Sequence, residues 1–208
     1  MPLKQEVLKK IKEDNDLTAY YETGINAGDS FITATAIGFE KLVGVEINAH
    51  FTYRIGCMLR PLTEIKQCLF MTGDSAMVDP ARIDDFIGDR KAVFFLDAHL
   101  DSGLDSAPHL PQATCPLRHE LEIISRLKRK DHVILIDDLR ILTDTRYGAW
   151  KTNDYDIPSE KFPMETIIPM LNEINGDYIV STVTGDDRFP DDVLYVRVPN
   201  GKNGADNG

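Results

Sequence analysis

Seven short apolar runs rich in β-branched and aromatic residues punctuate this chain, at residues 19–23, 41–47, 68–71, 92–97, 132–137, 177–184 and 193–198. Each of the first five ends in an acid or is followed at once by one: Glu22, Glu46, Asp74, Asp97, and Asp137 with Asp138. Helical patterns separate most of them. Residues 3–13 put Leu3, Val7, Leu8 and Ile11 on one face, and residues 79–88 gather Ile83, Phe86 and Ile87 behind an Asp79-Pro80 start. Residues 116–129 carry Leu117, Leu121, Ile124 and Leu127, and residues 163–174 carry Met164, Ile167, Ile168, Leu171 and Ile174, with Pro169 expected to kink the helix. Strand–helix alternation predicts right-handed crossovers and a parallel sheet covered on both faces. Val-Phe-Phe-Leu and Val-Ile-Leu-Ile are apolar throughout, as central parallel strands are. No helix fits between the last two runs, so they are expected to pair antiparallel at one edge.

The first run opens into Glu22-Thr-Gly24-Ile-Asn-Ala-Gly28-Asp-Ser30, and Glu46 closes the next strand one helix later. Glycines at a strand-to-helix turn let a backbone approach a ligand. A helix N-terminus offers unsatisfied N–H groups, and a carboxylate at the next strand end can accept from two ribose hydroxyls. The pairing points to an adenosyl group, with Glu22, Gly24, Gly28, Ser30 and Glu46 as candidate contacts.

Asp97-Ala-His99 and Asp137-Asp138 follow strands that should be neighbours, so their carboxylates are expected in one cleft. Close like charges raise one another's pKa or require a cation. Asp97, Asp137 and Asp138 suit a hard divalent cation such as Mg²⁺, which takes oxygen ligands; a hydrated or proton-sharing pair is the alternative. His99 is placed to act as a general base, a ligand or a loop support. Cys115 before Pro116 marks a helix boundary. Two long stretches, 100–114 and 140–162, follow central strands at the ligand-binding edge, and Trp150 lies in the second.

With 23 basic and 34 acidic residues the formal net charge is −11, which repels phosphate backbones and anionic bilayers. Neither nucleic acid nor membrane is therefore an expected partner. Three cysteines without a C-x-x-C pair support no disulfide framework. A charged N-terminus and the absence of a long apolar run predict a cytoplasmic protein, with a polar, disordered tail over 201–208. A homo-oligomer is compatible with the composition.

Glu22-x-Gly24-x-x-x-Gly28, with Glu46 after it and Asp74-Ser75 after the third strand, resembles the class I S-adenosylmethionine-dependent methyltransferases. The resemblance spans about residues 17–199. It implies a Rossmann-like seven-stranded sheet, mostly parallel with an antiparallel final strand and helices on both faces, with residues 1–200 as one domain. It implies S-adenosylmethionine as cofactor, Glu46 at the ribose, and Asp74 and Ser75 at the adenine; Asp97, after the fourth strand, is a further cofactor contact. A narrower resemblance is to the metal-dependent O-methyltransferases of the catechol and macrocin types, which place metal-binding acids where Asp97 and Asp137-Asp138 stand. Where the catechol type supplies a lysine base, this chain has His99. The expected activity is O-methylation of a small hydroxylated molecule or sugar, with Asp97 and His99 at the reaction. A non-catalytic cofactor-binding module is the alternative; a dinucleotide oxidoreductase is disfavoured because the loop lacks G-x-G-x-x-G.

Overall fold

The structure, a computed structural model, describes residues 3–65, 67–99, 115–143 and 162–199. The predicted disordered tail over 201–208, the whole of stretch 100–114, most of stretch 140–162 and Trp150 lie outside the described residues.

The described elements alternate as the apolar pattern requires. In chain order they are α1 (Gln5–Asp14), β1 (Ala19–Thr23), α2 (Asp29–Ile37), β2 (Lys41–Glu46), α3 (Ala49–Met58), α4 (Arg60–Glu64), β3 (Cys68–Thr72), a 3₁₀ turn (Ser75–Met77), α5 (Pro80–Ile87) and β4 (Ala92–Leu96). Then come α6 (Leu117–Arg126), β5 (Val133–Ile136), α7 (Leu139–Thr143), α8 (Met164–Ile174), β6 (Ile179–Val183) and β7 (Val193–Arg197). Asp79 caps α5 by accepting the Ala81 N–H at 3.0 Å. Helix α8 is continuous over Met164–Ile174 with Pro169 inside it. Helix α3 did not stand out by apolar spacing, because only Thr52 and Ile55 of it are buried.

The strands form one seven-stranded sheet in the order β3-β2-β1-β4-β5-β7-β6. Strands β3, β2, β1, β4 and β5 run parallel, whereas β7 is antiparallel to both β5 and β6. The final pair takes this arrangement because the nine residues between its strands hold a turn and no crossover helix.

Both faces of the sheet are apolar, so alternate residues of one strand serve different cores. Tyr21, Val43, Phe94 and Ile134 pack with α5, α6 and α8. Tyr20, Leu42, Phe95 and Leu135 pack with α1, α2 and α3 on the opposite side. Every residue of β1, β4 and β5 is buried. Five contiguous parallel strands between two helical layers fix where each strand ends, and the strand ends carry the polar residues. No helix among the described residues is long and apolar enough to cross a membrane.

Candidate active site

The parallel register pairs Thr23 with Val45 and Leu96, Glu46 with Thr72, and Leu96 with Ile136. The carboxyl ends of β1 through β5 therefore share one edge, the edge at which open α/β sheets bind ligands. Glu22, Glu46, Asp74, Asp97, Asp137 and Asp138 all lie along it. All but Asp97 are buried, and the Asp97 side chain is only 13% exposed.

The first turn is built from backbone that favours glycine. Gly24 and Gly28 have φ of 72° and 92°, and Asn26 between them also has positive φ at 49°. A Cβ on Gly24 would lie 2.4 Å from the Asp97 carbonyl oxygen, and one on Gly28 would lie 2.2 Å from the Ile55 side chain. These glycines thus let the turn close against the end of β4 and against α3. Ser30 is turned toward the start of the chain, where its hydroxyl accepts the Leu3 N–H at 3.4 Å.

Glu46 is clasped by the turn it faces. Its two carboxylate oxygens accept the N–H groups of Asn26 and Asn48, each at 2.8 Å. Burial pushes its carboxyl up, and these backbone hydrogen bonds oppose the rise. With the Ile47 N–H also acting on it, the carboxylate takes backbone donors from three residues and still has acceptor capacity for a further donor such as a ribose hydroxyl. Glu22, at the base of the same turn, accepts the Tyr20 hydroxyl at 2.9 Å. Its burial pushes the carboxyl up to about 8, against the Tyr20 hydrogen bond. Asp74 accepts the Ala76 N–H at 2.9 Å and so caps the 3₁₀ turn that begins at Ser75.

The second group of acids is organised around His99 and Arg140. His99 Nε2 lies 2.6 Å from Asp138 Oδ2, and its Nδ1 lies 3.5 Å from Asp97 Oδ1. Arg140 Nη1 lies 2.7 Å from Asp138 Oδ1 and also pairs with Asp192, whose Oδ1 accepts the Arg140 backbone N–H at 2.7 Å. The guanidinium rests on the Phe189 ring, 3.8 Å from its centroid. Burial alone would raise Asp138; its bonds to His99 and the charge of Arg140 outweigh that and hold it low. Asp97 is driven well above the usual carboxylate range by burial and then by Asp137, and Asp137 is raised by burial and then by Asp138. Asp138 takes left-handed backbone, φ 54°, as the chain turns into α7.

The three aspartates grouped by sequence are sorted here into two overlapping sets. Asp97, His99 and Asp138 form one, and Asp137, Asp138 and Asp192 the other, the potential ligand atoms of each lying within 4.8 Å of one another. Hard oxygen donors, with two carboxyls raised by burial and then by neighbouring negative charge, fit a divalent cation. Arg140, Phe189 and Asp192 were not anticipated. Asp192 sits in the turn between β6 and β7, where acids are common, and Arg140 lies just beyond the Asp137-Asp138 pair. The Asp-Asp-Leu-Arg sequence at 137–140 was the one available signal.

No protein-family model matches the sequence, and no curated protein is similar to it in sequence. Solved structures are similar in fold. A Staphylococcus aureus protein assigned as a caffeoyl-CoA O-methyltransferase superposes with a TM-score of 0.58 at 12% identity, covering 94% of this chain and 82% of the other. The Streptomyces achromogenes O-methyltransferase TomG, solved with S-adenosylmethionine, gives 0.56 at 13% identity over 94% and 79%. An S-adenosylmethionine-dependent methyltransferase from Clostridium acetobutylicum gives 0.56 at 11% identity over 94% and 91%. The chain has the Rossmann-like fold of the class I methyltransferases.

Proposed function

We propose that this protein is an S-adenosylmethionine-dependent O-methyltransferase acting on a small hydroxylated molecule or sugar. The observation that carries the reading is the joint placement of Glu46 against the glycine turn and of the His99–Asp138 pair on the same sheet edge, within a methyltransferase fold. The fold supplies a cofactor edge and the His99 pair supplies a proton acceptor beside it.

In this reading Glu46 takes the ribose hydroxyls, Asp74 and Ser75 flank the adenine, and Glu22, Gly24, Gly28 and Ser30 shape the turn near the amino-acid end. Asp97 stands between the cofactor and the acceptor. The acceptor oxygen displaces the sulfur from the methyl carbon: an O–C bond forms as the C–S bond breaks, and the sulfonium becomes a neutral thioether. The hydroxyl proton passes to His99, whose ring is held by Asp138. Alignment of nucleophile, methyl and leaving sulfur is a large part of such catalysis. Asp97, Asp137 and Asp138 would hold Mg²⁺, which when bound would lower the pKa of the acceptor hydroxyl. The acidic surface, with its net charge of −11, favours a small acceptor over a polyanion.

Calorimetry with S-adenosylhomocysteine tests the reading. Binding by the native chain and its loss in Glu46→Ala is the expected result; no binding by a folded native chain would overturn it. A cofactor-binding module without turnover would show the same binding but no methyl transfer to any hydroxylated acceptor.

A further inference from the structure

Helices α3 and α4 carry an apolar row that neither the core nor the candidate site uses. Of the large apolar side chains that stand exposed among the described residues, three lie in or beside these helices: Tyr53 at 74%, Met58 at 54% and Ile65 at 70%. The helices meet at Leu59, whose N–H donates to the Ile55 carbonyl at 2.9 Å and whose carbonyl accepts the Thr63 N–H at 3.1 Å. Helical bonding therefore runs through the joint, and residues four apart share a face across it. Tyr53, Cys57, Pro61 and Ile65 succeed one another at that spacing, and all four are exposed. Tyr53 and Cys57 share a hydrogen bond across one turn. The face that α3 buries is a different one, carrying Thr52 and Ile55. Apolar side chains gathered on the outer face of a helix mark an interaction surface, whereas scattered ones need no explanation.

We propose that this face of α3 and α4 binds a second copy of the chain about a two-fold axis at Leu59. Charge selects the occupant. The whole chain carries −11, so two copies repel over most of their surfaces. From Ile47 to Gly73 the sequence instead holds three bases, Arg54, Arg60 and Lys66, and a single acid, Glu64. The row is also complementary to itself. Tyr53 and Ile65 stand six residues to either side of Leu59, Cys57 and Pro61 two, and Arg54 and Glu64 five. Antiparallel packing about Leu59 thus lays Tyr53 on Ile65 of the second copy and sets Arg54 against its Glu64. A contact that matches itself in this way closes at two copies. Tyr53, Met58 and Ile65 expose roughly 400 Å² per copy, the size of an apolar patch that is often functional. With the exposed charged side chains around them the face reaches the about 800 Å² per partner of a standard interface. This inference stands apart from the cofactor reading.

Sedimentation equilibrium of the full chain over a concentration series tests it. A reversible dimer with a Kd in the micromolar range is expected. Tyr53→Ala should raise that Kd by about 30-fold or more, as loss of a central aromatic does. Ile65→Glu should raise it at least as far, by facing Tyr53 with an acid. Both positions are exposed, so both variants should keep the native melting behaviour. Cys57 is exposed while Cys68 and Cys115 are buried. The two-fold arrangement sets the two Cys57 side chains about 10 Å apart, from the helical rise and the spacing of packed helices. A bismaleimide of that reach should join native chains and fail to join Cys57→Ser. A chain that stays monomeric into the millimolar range would overturn the proposal and leave the row to a partner of another kind. A dimer whose Kd is unchanged in both variants would overturn it as well, because the contact would then lie on another face. A dimer weakened by both variants but not joined through Cys57 would overturn the axis at Leu59.

Discussion

His99 donates or shares a proton with Asp138 across 2.6 Å, while its other ring nitrogen stands 3.5 Å from Asp97. A histidine held at one nitrogen by a carboxylate has its ring orientation and tautomer set, which suits it to the proton-accepting role proposed above. His99→Ala should therefore lower kcat for methyl transfer by about 100-fold, within the range of general-base loss, and leave S-adenosylhomocysteine affinity nearly unchanged. Steady-state turnover with an acceptor that the native enzyme methylates, read beside calorimetry, checks both halves. Equal kcat in the variant would remove His99 from the chemistry.

Arg140 ties the end of β5 to the start of β7, since it bonds Asp138 on one side and Asp192 on the other and stacks on Phe189. Its side chain is 21% exposed and that of Asp192 is 8% exposed, so the pair is shielded and its loss leaves Asp192 without its cation. Arg140→Leu should destabilise the fold by about 2–4 kcal/mol, near the range for breaking a buried pair. Denaturant melts report this directly. Arg140→Lys should recover part of the loss, because lysine restores the charge without the flat group that covers Phe189.

Removing divalent cation should separate the acceptor half of the site from the cofactor half. A chelator is expected to lower turnover while leaving S-adenosylhomocysteine affinity unchanged, because Glu46 is held by backbone N–H groups alone among its described hydrogen bonds. Asp137→Asn should weaken Mn²⁺ binding followed by electron paramagnetic resonance. Full turnover in chelator, with no Mn²⁺ signal change, would leave His99, Asp138 and Arg140 as the whole acceptor machinery.

The sheet was readable because its signals are local and redundant. Fully apolar β4 and β5 announce two covered faces, and the acids at strand ends follow from a topology that places all parallel carboxyl ends together. Glu46 was legible for the same reason. What pairs with what was not. Arg140 to Asp192 spans 52 residues, and Ser30 bonds Leu3 across 27. Contacts of that separation depend on where whole elements come to rest, and a short motif does not encode them.

Gly24 meets a backbone atom where a side chain would go. Its φ is 72°, and a Cβ would fall 2.4 Å from the Asp97 carbonyl oxygen and 2.9 Å from the Asp97 carbonyl carbon. Backbone cannot swing aside as a flexible side chain can. Gly24→Ala should cost about 1–3 kcal/mol, from the left-handed conformation and the crowding together, and should weaken S-adenosylhomocysteine binding as well. Gly38, also at positive φ but with no atom within 4 Å, is the control: Gly38→Ala should cost only the conformational part, near 1 kcal/mol, without affecting ligand.

His132 gives the fold an acid-sensitive point away from the site. It is fully buried, and its Nδ1 accepts the Ala92 N–H at 3.1 Å, so the ring is neutral in the folded state. Burial depresses its pKa from 6.5 to about 4. The unfolded chain therefore binds a proton between these values that the folded chain refuses. The sign follows: stability from this group is complete above the unfolded pKa and falls as pH drops toward the folded one. The loss amounts to about 3 kcal/mol across that window. His132→Asn keeps an acceptor near Ala92 but cannot titrate, so its stability should fall less steeply between pH 6.5 and pH 4 than that of the native chain. Urea melts across that range measure both slopes, and parallel slopes would show that the imidazole is protonated in the folded state as readily as in the unfolded one.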